Sequence, residues 1–157
     1  MQPNRPKFAV DEMLGTLARW LRIMGYDATY EKGRTDDEIV DGANADGRIL
    51  LTRDKELSAR MGERGSHVAS DQLEEQLRQV WRDFNLRPDQ DLTRCTICNG
   101  ELEPMPVEEA KDKVPEGVFL LNQEFFRCRS CGKIYWHGTH WLNIKKRLAD
   151  LDPNQSL

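Results

Sequence analysis

All four cysteines of this chain occur in two C-x-x-C pairs, which are Cys95 with Cys98 and Cys128 with Cys131. The pairs are 29 residues apart, and turn residues follow each of them, Asn99-Gly100 after the first and Gly132 after the second. Two such pairs bring four thiolates within reach of one tetrahedral ion, and Zn²⁺ prefers this set of ligands. Two redox-active dithiols are the alternative, but a redox site needs only one pair. We therefore predict a structural zinc ion whose four positions are all filled by cysteine.

Carboxylates form a second group of interest, because several aspartates lie at the ends of predicted elements. Asp11, Asp54 and Asp71 each follow a short apolar run, and Asp36 and Asp37 begin a helix that leads into the central strand. In an open parallel sheet, ligands bind outside the carboxyl ends of the strands. Carboxylates gathered there repel one another unless cations neutralise them, and hard oxygen ligands suit Mg²⁺ or Mn²⁺. Such ions activate water and stabilise the leaving oxygen of a phosphodiester, so the pattern indicates a nuclease.

Each acid also has a purely structural explanation. Asp36, Asp37 and Asp71 lie at predicted helix N-termini, where carboxylates cap the helix, and taken singly each is better explained in that way. Asp11 and Asp54 are harder to explain as caps alone, because both follow apolar strands at the predicted binding edge. A phospho-receiver domain carries similar acids, but it needs a fifth strand ending in a lysine, and the first cysteine pair comes too soon for one.

The elements that must position these acids alternate over the first ninety residues. Apolar runs at residues 8–10, 26–30, 49–52 and 67–69 predict four short strands. Helical periodicity separates them, and the alternation predicts a small α/β domain whose parallel sheet has helices on both faces.

Local signals set the helix limits and faces. Thr35 and Glu38 form a capping box at the start of one helix, and Ser70 or Asp71 is expected to cap the last helix of this domain. The first helix is expected to bury one apolar face, made of Met13, Leu14, Leu17, Leu21 and Met24.

Composition excludes several classes of protein. The 157 residues are 38% hydrophobic and 32% charged, with four tryptophans and five phenylalanines, which is enough to build a core. The chain has no apolar run long enough to span a membrane, and its first residues do not resemble a secretory signal. We therefore expect a cytoplasmic protein, in whose reducing environment the cysteines bind metal rather than form disulfides.

The quoted residues resemble the PIN-like ribonucleases of the Mut-seven C-terminal RNase family. The matching segments are residues 10–22, 25–27, 36–38, 48–54, 94–100 and 128–141. The resemblance covers residues 7–148 and implies a PIN-like three-layer α/β/α domain with metal-dependent ribonuclease activity. It also implies that Asp11, Asp36 and Asp54 bind the metal and that Asp71 is a fourth ligand. The capping box places both Asp36 and Asp37 on the first helical turn, so either can be the ligand.

Charge is distributed unevenly along the chain. The formal net charge is −4, yet residues 127–149 carry six lysines and arginines and no acid. Aromatic side chains are interleaved with this basic run. Cations that bind phosphates, beside aromatics that stack on bases, indicate an RNA-binding surface. The predicted RNA-binding residues are Arg127, Arg129, Lys133, Tyr135, Trp136, His137, His140, Trp141, Lys145 and Lys146. The alternative is that the aromatics form the small core of the zinc module, and we expect at least Trp136 or Trp141 to be structural.

Together these patterns predict two domains. Residues 1–87 form the PIN-like nuclease domain, and residues 88–157 form a four-cysteine zinc ribbon with a C-terminal helix, in which residues 103–116 are an extra loop. The predicted activity is hydrolysis of RNA, with Mg²⁺ or Mn²⁺ held by the strand-end carboxylates and the ribbon positioning the RNA. The competing hypothesis is a non-catalytic RNA- or ribosome-binding adaptor in which the acids are only helix caps.

Overall fold

The computed structural model describes residues 5–154, which form seven helices and seven strands. The strands are β1 (Phe8–Val10), β2 (Ala28–Tyr30), β3 (Ile49–Thr52), β4 (Gly65–His67), β5 (Leu102–Met105), β6 (Phe125–Cys128) and β7 (Ile134–Trp136). The helices are α1 (Gly15–Ile23), α2 (Asp36–Ala45), α3 (Lys55–Arg60), α4 (Leu73–Phe84), α5 (Val107–Ala110), α6 (Glu116–Leu121) and α7 (Thr139–Leu151). Short 3₁₀ turns at Glu12–Leu14 and Gly62–Arg64 precede α1 and β4.

The first four strands form one parallel sheet in the order β2-β1-β3-β4. Val10, at the end of β1, lies opposite Tyr30 of β2 and Leu51 of β3. The carboxyl ends of these three strands therefore meet at one edge of the sheet, as the alternation of strands and helices predicts. We call this the carboxyl edge.

Helices cover both faces of this sheet, and alternate strand residues point to opposite faces. Phe8, Val10 and Leu51 pack in the larger core with α1 and α4. Ala9 and Leu50 face a second, smaller core made with α2 and α3. Because both faces are covered, the central strands β1 and β3 are almost entirely apolar rather than alternating, whereas the edge strands β2 and β4 contain polar residues. The three-layer α/β/α arrangement with a parallel sheet is confirmed.

The helix limits agree with most of the local signals and disagree with two. The capping box of Thr35 and Glu38 is present at the start of α2. Met13 does not belong to the buried face of the first helix: it lies in the preceding 3₁₀ turn and is 63% exposed. The predicted cap of α4 is also wrong, since that helix starts after Gln72 and neither Ser70 nor Asp71 caps it. Ser70 instead accepts a hydrogen bond from the backbone N–H of Gln72 and so shapes the turn before the helix.

The second half contains a three-stranded antiparallel sheet in the order β5-β6-β7. We call residues 94–136, which include this sheet and both cysteine pairs, the ribbon. Residues 103–116 are not the open loop that was predicted: their first part continues β5, and α5 and α6 follow. Pro106 and Pro115 precede these helices as their N-cap residues, and Ala110 and Phe125 are buried beneath them.

The C-terminal helix α7 packs back onto the first half of the chain. Trp141, Leu148 and Leu151 are buried in the same core as α1 and α4. The division of the chain at residue 87 therefore stays a prediction about folding units, since apolar contacts cross it. Within residues 5–154, no helix is both long and apolar enough to cross a membrane.

Candidate active site and metal site

Asp11 and Asp54 are linked through a buried threonine at the carboxyl edge. Thr52, at the end of β3, is fully buried. Its hydroxyl donates to Asp11 Oδ2 over 2.6 Å and accepts from the Asp54 backbone N–H over 3.0 Å. One side chain therefore fixes the positions of both predicted site residues relative to adjacent parallel strands.

Both aspartates also cap the helical turns that follow them. Asp11 Oδ1 accepts from the backbone N–H of Glu12, and Asp54 Oδ1 accepts from the backbone N–H groups of Glu56 and Leu57. The cap of α3 uses only Oδ1 of Asp54, and its Oδ2 accepts no hydrogen bond from residues 5–154. The cap explanation therefore holds for both acids, but it leaves Asp54 Oδ2 without a hydrogen bond, whereas both oxygens of Asp11 are engaged.

Glu31 is a carboxylate at this edge that the sequence patterns did not single out. It follows β2, and its backbone N–H donates to the carbonyl of Val10, which places it beside Asp11 in the sheet. Glu31 is buried, with hydrogen bonds from Thr29 Oγ1 at 3.0 Å and Arg34 Nη1 at 3.3 Å. The rule that selected Asp11 and Asp54, an acid directly after a predicted strand, would have found it.

Asp36 and Asp37 both lie on the exposed first turn of α2. Asp37 forms an ion pair of 2.6 Å with Arg60 at the end of α3, and this hydrogen bond raises the pKa of the guanidinium. Asp36 has no hydrogen-bond partner for its side chain within residues 5–154. The Asp36 carboxylate is thus free of the ion pair that engages Asp37. Which of the two is a metal ligand stays a prediction.

Asp71 lies in the turn after β4 and is exposed, and its Oδ1 accepts from Gln72 Nε2. In the described part of the chain, no three carboxylates bring one oxygen each within 4.8 Å of one another. The Thr52 link joins Asp11 to Asp54, while Asp37 is engaged by Arg60 and Asp71 by Gln72.

The four cysteines, in contrast, converge fully. Their sulfurs all lie within 4.8 Å of one another, with Cys95 Sγ 3.7 Å from Cys131 Sγ and Cys98 Sγ 3.4 Å from Cys128 Sγ. Zn–S bonds of about 2.3 Å in a tetrahedron place sulfurs about 3.8 Å apart, so these separations fit the ion. The cysteines are not joined by disulfides. The predicted four-cysteine cluster is confirmed as a group able to hold one ion.

Turns with left-handed backbone close both cysteine pairs. Asn99 has φ of 69° and Gly132 has φ of 81°, so Asn99, rather than its neighbour Gly100, adopts the left-handed conformation of the first turn. Gly100 is needed for another reason, since a Cβ there would lie 2.8 Å from Cys128 Sγ. The turns direct backbone N–H groups at sulfur, for example from Ser130 and Cys131 to Cys128.

These contacts favour the thiolate form of Cys95 and Cys128, whose pKa values lie below the ordinary value. Burial raises the pKa of Cys95, but hydrogen bonds from the Tyr135 hydroxyl and from backbone N–H groups outweigh burial and bring its pKa to about 7. A deprotonated sulfur is the form that binds a metal ion.

The first cysteine turn is docked on the edge strand of the parallel sheet. Asn99 Oδ1 accepts from the backbone N–H of Ala28 at 3.0 Å, and Asn99 Nδ2 donates to Asp27 Oδ1 at 2.7 Å. Buried Arg22 in α1 donates to the carbonyls of Thr96 and Ile97 within the cysteine turn. Burial raises the pKa of Asp27, but its hydrogen bonds from Arg48 and Asn99 hold the pKa below its ordinary value. The carboxylate is therefore charged and available to orient the turn.

Comparison with known families agrees with this arrangement of acids and cysteines. A family model for the Mut7-C RNAse domain matches residues 6–148, which span the carboxyl edge, the ribbon and most of α7. The chain belongs to the Mut7-C RNAse domain family. The resemblance predicted from the sequence motifs is thereby confirmed, and membership in the Mut7-C family points to a ribonuclease-like function. No curated protein and no solved structure matches the chain significantly.

In this Mut7-C chain, much of the predicted RNA-binding charge is neutralised locally. Arg127 pairs with Glu103 and Glu109, and Arg129 pairs with Glu101 and Glu103. Lys133, Lys145 and Lys146 are exposed and form no ion pair within residues 5–154. Acids distant in sequence therefore divide the basic run into paired and unpaired cations.

The predicted aromatic residues have mixed environments. Trp141 is buried in the main core and Trp136 packs against Phe125, so both are structural, in agreement with the expectation that at least one would be. His137 contacts Asp91 and stacks on Trp141, whereas His140 is exposed. The Tyr135 hydroxyl accepts from the Thr96 backbone N–H and contacts Cys95 Sγ, which ties β7 to the first cysteine turn.

Proposed function

We propose that this protein is a Mg²⁺- or Mn²⁺-dependent ribonuclease that hydrolyses phosphodiester bonds at the carboxyl edge of its parallel sheet. The observation that carries the proposal is the link Asp11–Thr52–Asp54, in which one buried hydroxyl holds the Asp11 carboxylate and the Asp54 backbone at the ends of adjacent strands. Asp36 or Asp37 completes the metal-binding set, with Asp71 as a fourth acid. A buried polar link between two exposed or half-buried acids is more than two helix caps require.

The donor set suits a hard divalent cation. Carboxylate oxygens are the ligands that Mg²⁺ and Mn²⁺ prefer, and Asp54 Oδ2 is free to supply one. A bound divalent cation supplies activated water and neutralises charge on the phosphodiester. Thr52 orients Asp11 by donating to one of its oxygens, and the α3 N-terminus orients Asp54 by holding the other oxygen of that side chain.

The cysteine cluster is assigned a structural role. We assign Zn²⁺ to it, because four thiolates in a tetrahedron are a ligand set that this ion prefers. The role is structural because four cysteine ligands leave no position for substrate or a reactive water. Its docking contacts to Ala28 and Asp27 favour a role in holding the ribbon against the sheet. RNA is the proposed substrate and the unpaired cations of the ribbon and α7 its contacts. Reduced cysteines fit a cytoplasmic location.

The decisive experiment compares RNA cleavage by the wild type, Asp11→Asn and Asp54→Asn with Mn²⁺ or Mg²⁺ present. Asparagine is as good a helix cap as aspartate, so Asp54→Asn keeps the start of α3 while removing the charge. We expect each variant to lose at least about 100-fold in cleavage rate, because a metal ligand is lost. Asp83→Asn, an exposed acid on α4, is the matched control and retains full activity. Equal cleavage by all four proteins would rule out this site.

A non-catalytic RNA-binding adaptor is the second candidate, and the cap hydrogen bonds of Asp11 and Asp54 favour it. In that case the wild type binds RNA but does not cleave it with either metal. Asp54→Asn then unfolds at the same temperature as the wild type and binds RNA with the same affinity.

A further inference from the structure

A cleft of about 240 Å³ lies away from the carboxyl edge, where α1, the ribbon and α7 meet. Three of its lining residues are cationic or can be protonated, and three are aromatic. They are Arg19, Lys133, His140, Tyr135, Trp136 and Trp141. No aspartate or glutamate among residues 5–154 lines it. The walls therefore suit a planar, largely apolar body that carries negative charge.

The cations of this cleft are among those that the protein leaves uncompensated. Arg19 and Lys133 are exposed, and neither forms an ion pair with any residue in the range 5–154. Arg127, Arg129 and Arg147, in contrast, are all paired with glutamates. Arg19 belongs to α1, so the positive charge at the cleft comes from both halves of the chain.

Packing and hydrogen bonds to the rest of the protein fix the aromatic side chains that line the cleft. Trp141 is buried in the main core and Trp136 packs on Phe125. Tyr135 is fixed by its hydroxyl, and the Lys133 ammonium lies 5.5 Å from the centre of its ring. Rigid aromatic surfaces lose little conformational entropy when a ligand stacks on them.

We propose that this cleft binds one unpaired nucleotide of an RNA strand, with the base against the tryptophans and the phosphate near Arg19 and Lys133. The assignment of RNA as the ligand rests on the proposed function. The cleft is smaller than the roughly 300–1,000 Å³ typical of sites for drug-sized ligands, which suits a single base. Bases within a duplex are stacked and cannot enter, so the protein selects single-stranded segments.

Gly138 provides a steric check on this assignment. It lines the cleft, and a Cβ at this position would lie 3.1 Å from Trp136 Nε1. Its φ of −91° is accessible to any residue, so alanine there adds bulk without backbone strain. Gly117, whose added Cβ would meet nothing within 4 Å, is the matched control.

The test measures binding rather than cleavage. Affinity for a short single-stranded oligoribonucleotide, and for the same sequence annealed to its complement, is measured in the Asp54→Asn background without added divalent cation. We expect Arg19→Gln and Lys133→Gln each to weaken single-strand binding by about 3- to 10-fold and to reduce the salt dependence by about 0.7 per lost phosphate contact. Arg82→Gln and Lys111→Gln, exposed cations elsewhere, are the matched controls. Gly138→Ala also weakens binding, whereas Gly117→Ala does not.

Three outcomes would overturn the proposal. They are equal affinity for single strand and duplex, equal effects of cleft and control variants, and binding that leaves tryptophan fluorescence unchanged. The proposed function fails separately, when the wild type cleaves no RNA while the cleft variants still lose single-strand binding. If the wild type cleaves RNA normally and the cleft variants bind RNA as the wild type does, the nuclease proposal stands and the cleft proposal is wrong.

Discussion

Thr52 is neither acid nor base, yet it determines how two candidate metal ligands are arranged. Its hydroxyl group bridges Asp11 and the backbone of Asp54 while the side chain is completely removed from solvent. A buried hydroxyl without partners is costly, so its two hydrogen bonds stabilise one rotamer and thereby one position of each aspartate. Residues of this kind act on chemistry by positioning other groups.

Replacing Thr52 with valine tests this role, because the two side chains are nearly the same shape. We expect Thr52→Val to destabilise the protein by about 1–3 kcal/mol, since the Asp54 N–H loses its acceptor and Asp11 loses a donor. RNA cleavage falls as well, through misplacement of Asp11. Thr52→Ser keeps the hydroxyl and should retain most of the activity even if it loses stability. Urea unfolding together with cleavage rates separates the two effects, and a fully active Thr52→Val would contradict the positioning role.

For single residues, the sequence indicates where a side chain lies but not which side chain it pairs with. The strand-end rule located Asp11 and Asp54 because a buried strand must be apolar and its first polar residue marks the edge. Glu31 satisfies the same rule, but its strand is less apolar and ends in the exposed Tyr30, so it is harder to recognise in the sequence. The ion pair between Asp37 and Arg60 depends on how α2 and α3 pack, so no local pattern reveals it.

Among the elements, the first cysteine turn does more than close a metal site. Asn99 continues the hydrogen bonding of the β2 edge by pairing with Ala28, and Arg22 holds the carbonyls of the turn. An edge strand that would otherwise expose unpaired backbone groups is thus covered by the ribbon. The state of the cysteine cluster is therefore coupled to the sheet that carries the acids.

Cys128→Ser tests the four-cysteine assignment on which this coupling depends. We expect the variant to lose its stoichiometric zinc and several kcal/mol of stability, because metal binding is part of folding at such sites. Ser130→Ala, within the same turn but without a ligand sulfur, is the matched control and should retain zinc. Metal content by elemental analysis and thermal unfolding provide the readouts. Full zinc content in Cys128→Ser would contradict the four-cysteine assignment.

Helices and strands with a strong apolar pattern were predicted correctly, but prolines that begin helices were interpreted as signs of a loop. β1, β3 and α4 were predicted because their apolar residues form a clear run or a regular helical stripe. The strand expected at residues 67–69 instead lies at Gly65–His67, because it pairs with β3 through its backbone and its residues are not apolar. Residues 103–116 were expected to be a loop because of their prolines and acids. Pro106 and Pro115 instead lie at helix N-caps, where a missing N–H costs nothing, and the acids follow them in the first helical turns.

The molecule as a whole is held together by α7, which inserts apolar residues into the core of the sheet domain. Leu148 is buried there and Leu142, on the same helix, is 64% exposed. Net charge does not reveal this organisation. Glutamates from the ribbon and α4 neutralise half of the positive charge of residues 127–149, so only the other half is available to bind a ligand.

Two leucine substitutions on α7 measure its contribution to global stability. Leu148→Ala should cost about 2–5 kcal/mol, because it leaves a cavity in the main core. Leu142→Ala should change stability by no more than about 0.5 kcal/mol, since that side chain is exposed. The free energy of unfolding from urea titration decides between them. Equal effects would mean that α7 does not form part of the core.

The location of α7 also determines when the sheet domain can finish folding during synthesis. Phe8 and Val10 leave the ribosome early, and Leu148 and Leu151, which share their core, emerge after almost all of the described chain has been translated. Contacts between such distant segments contribute only once the intervening chain can close into a loop. The acid-bearing sheet therefore reaches its full stability only when translation has passed Leu151.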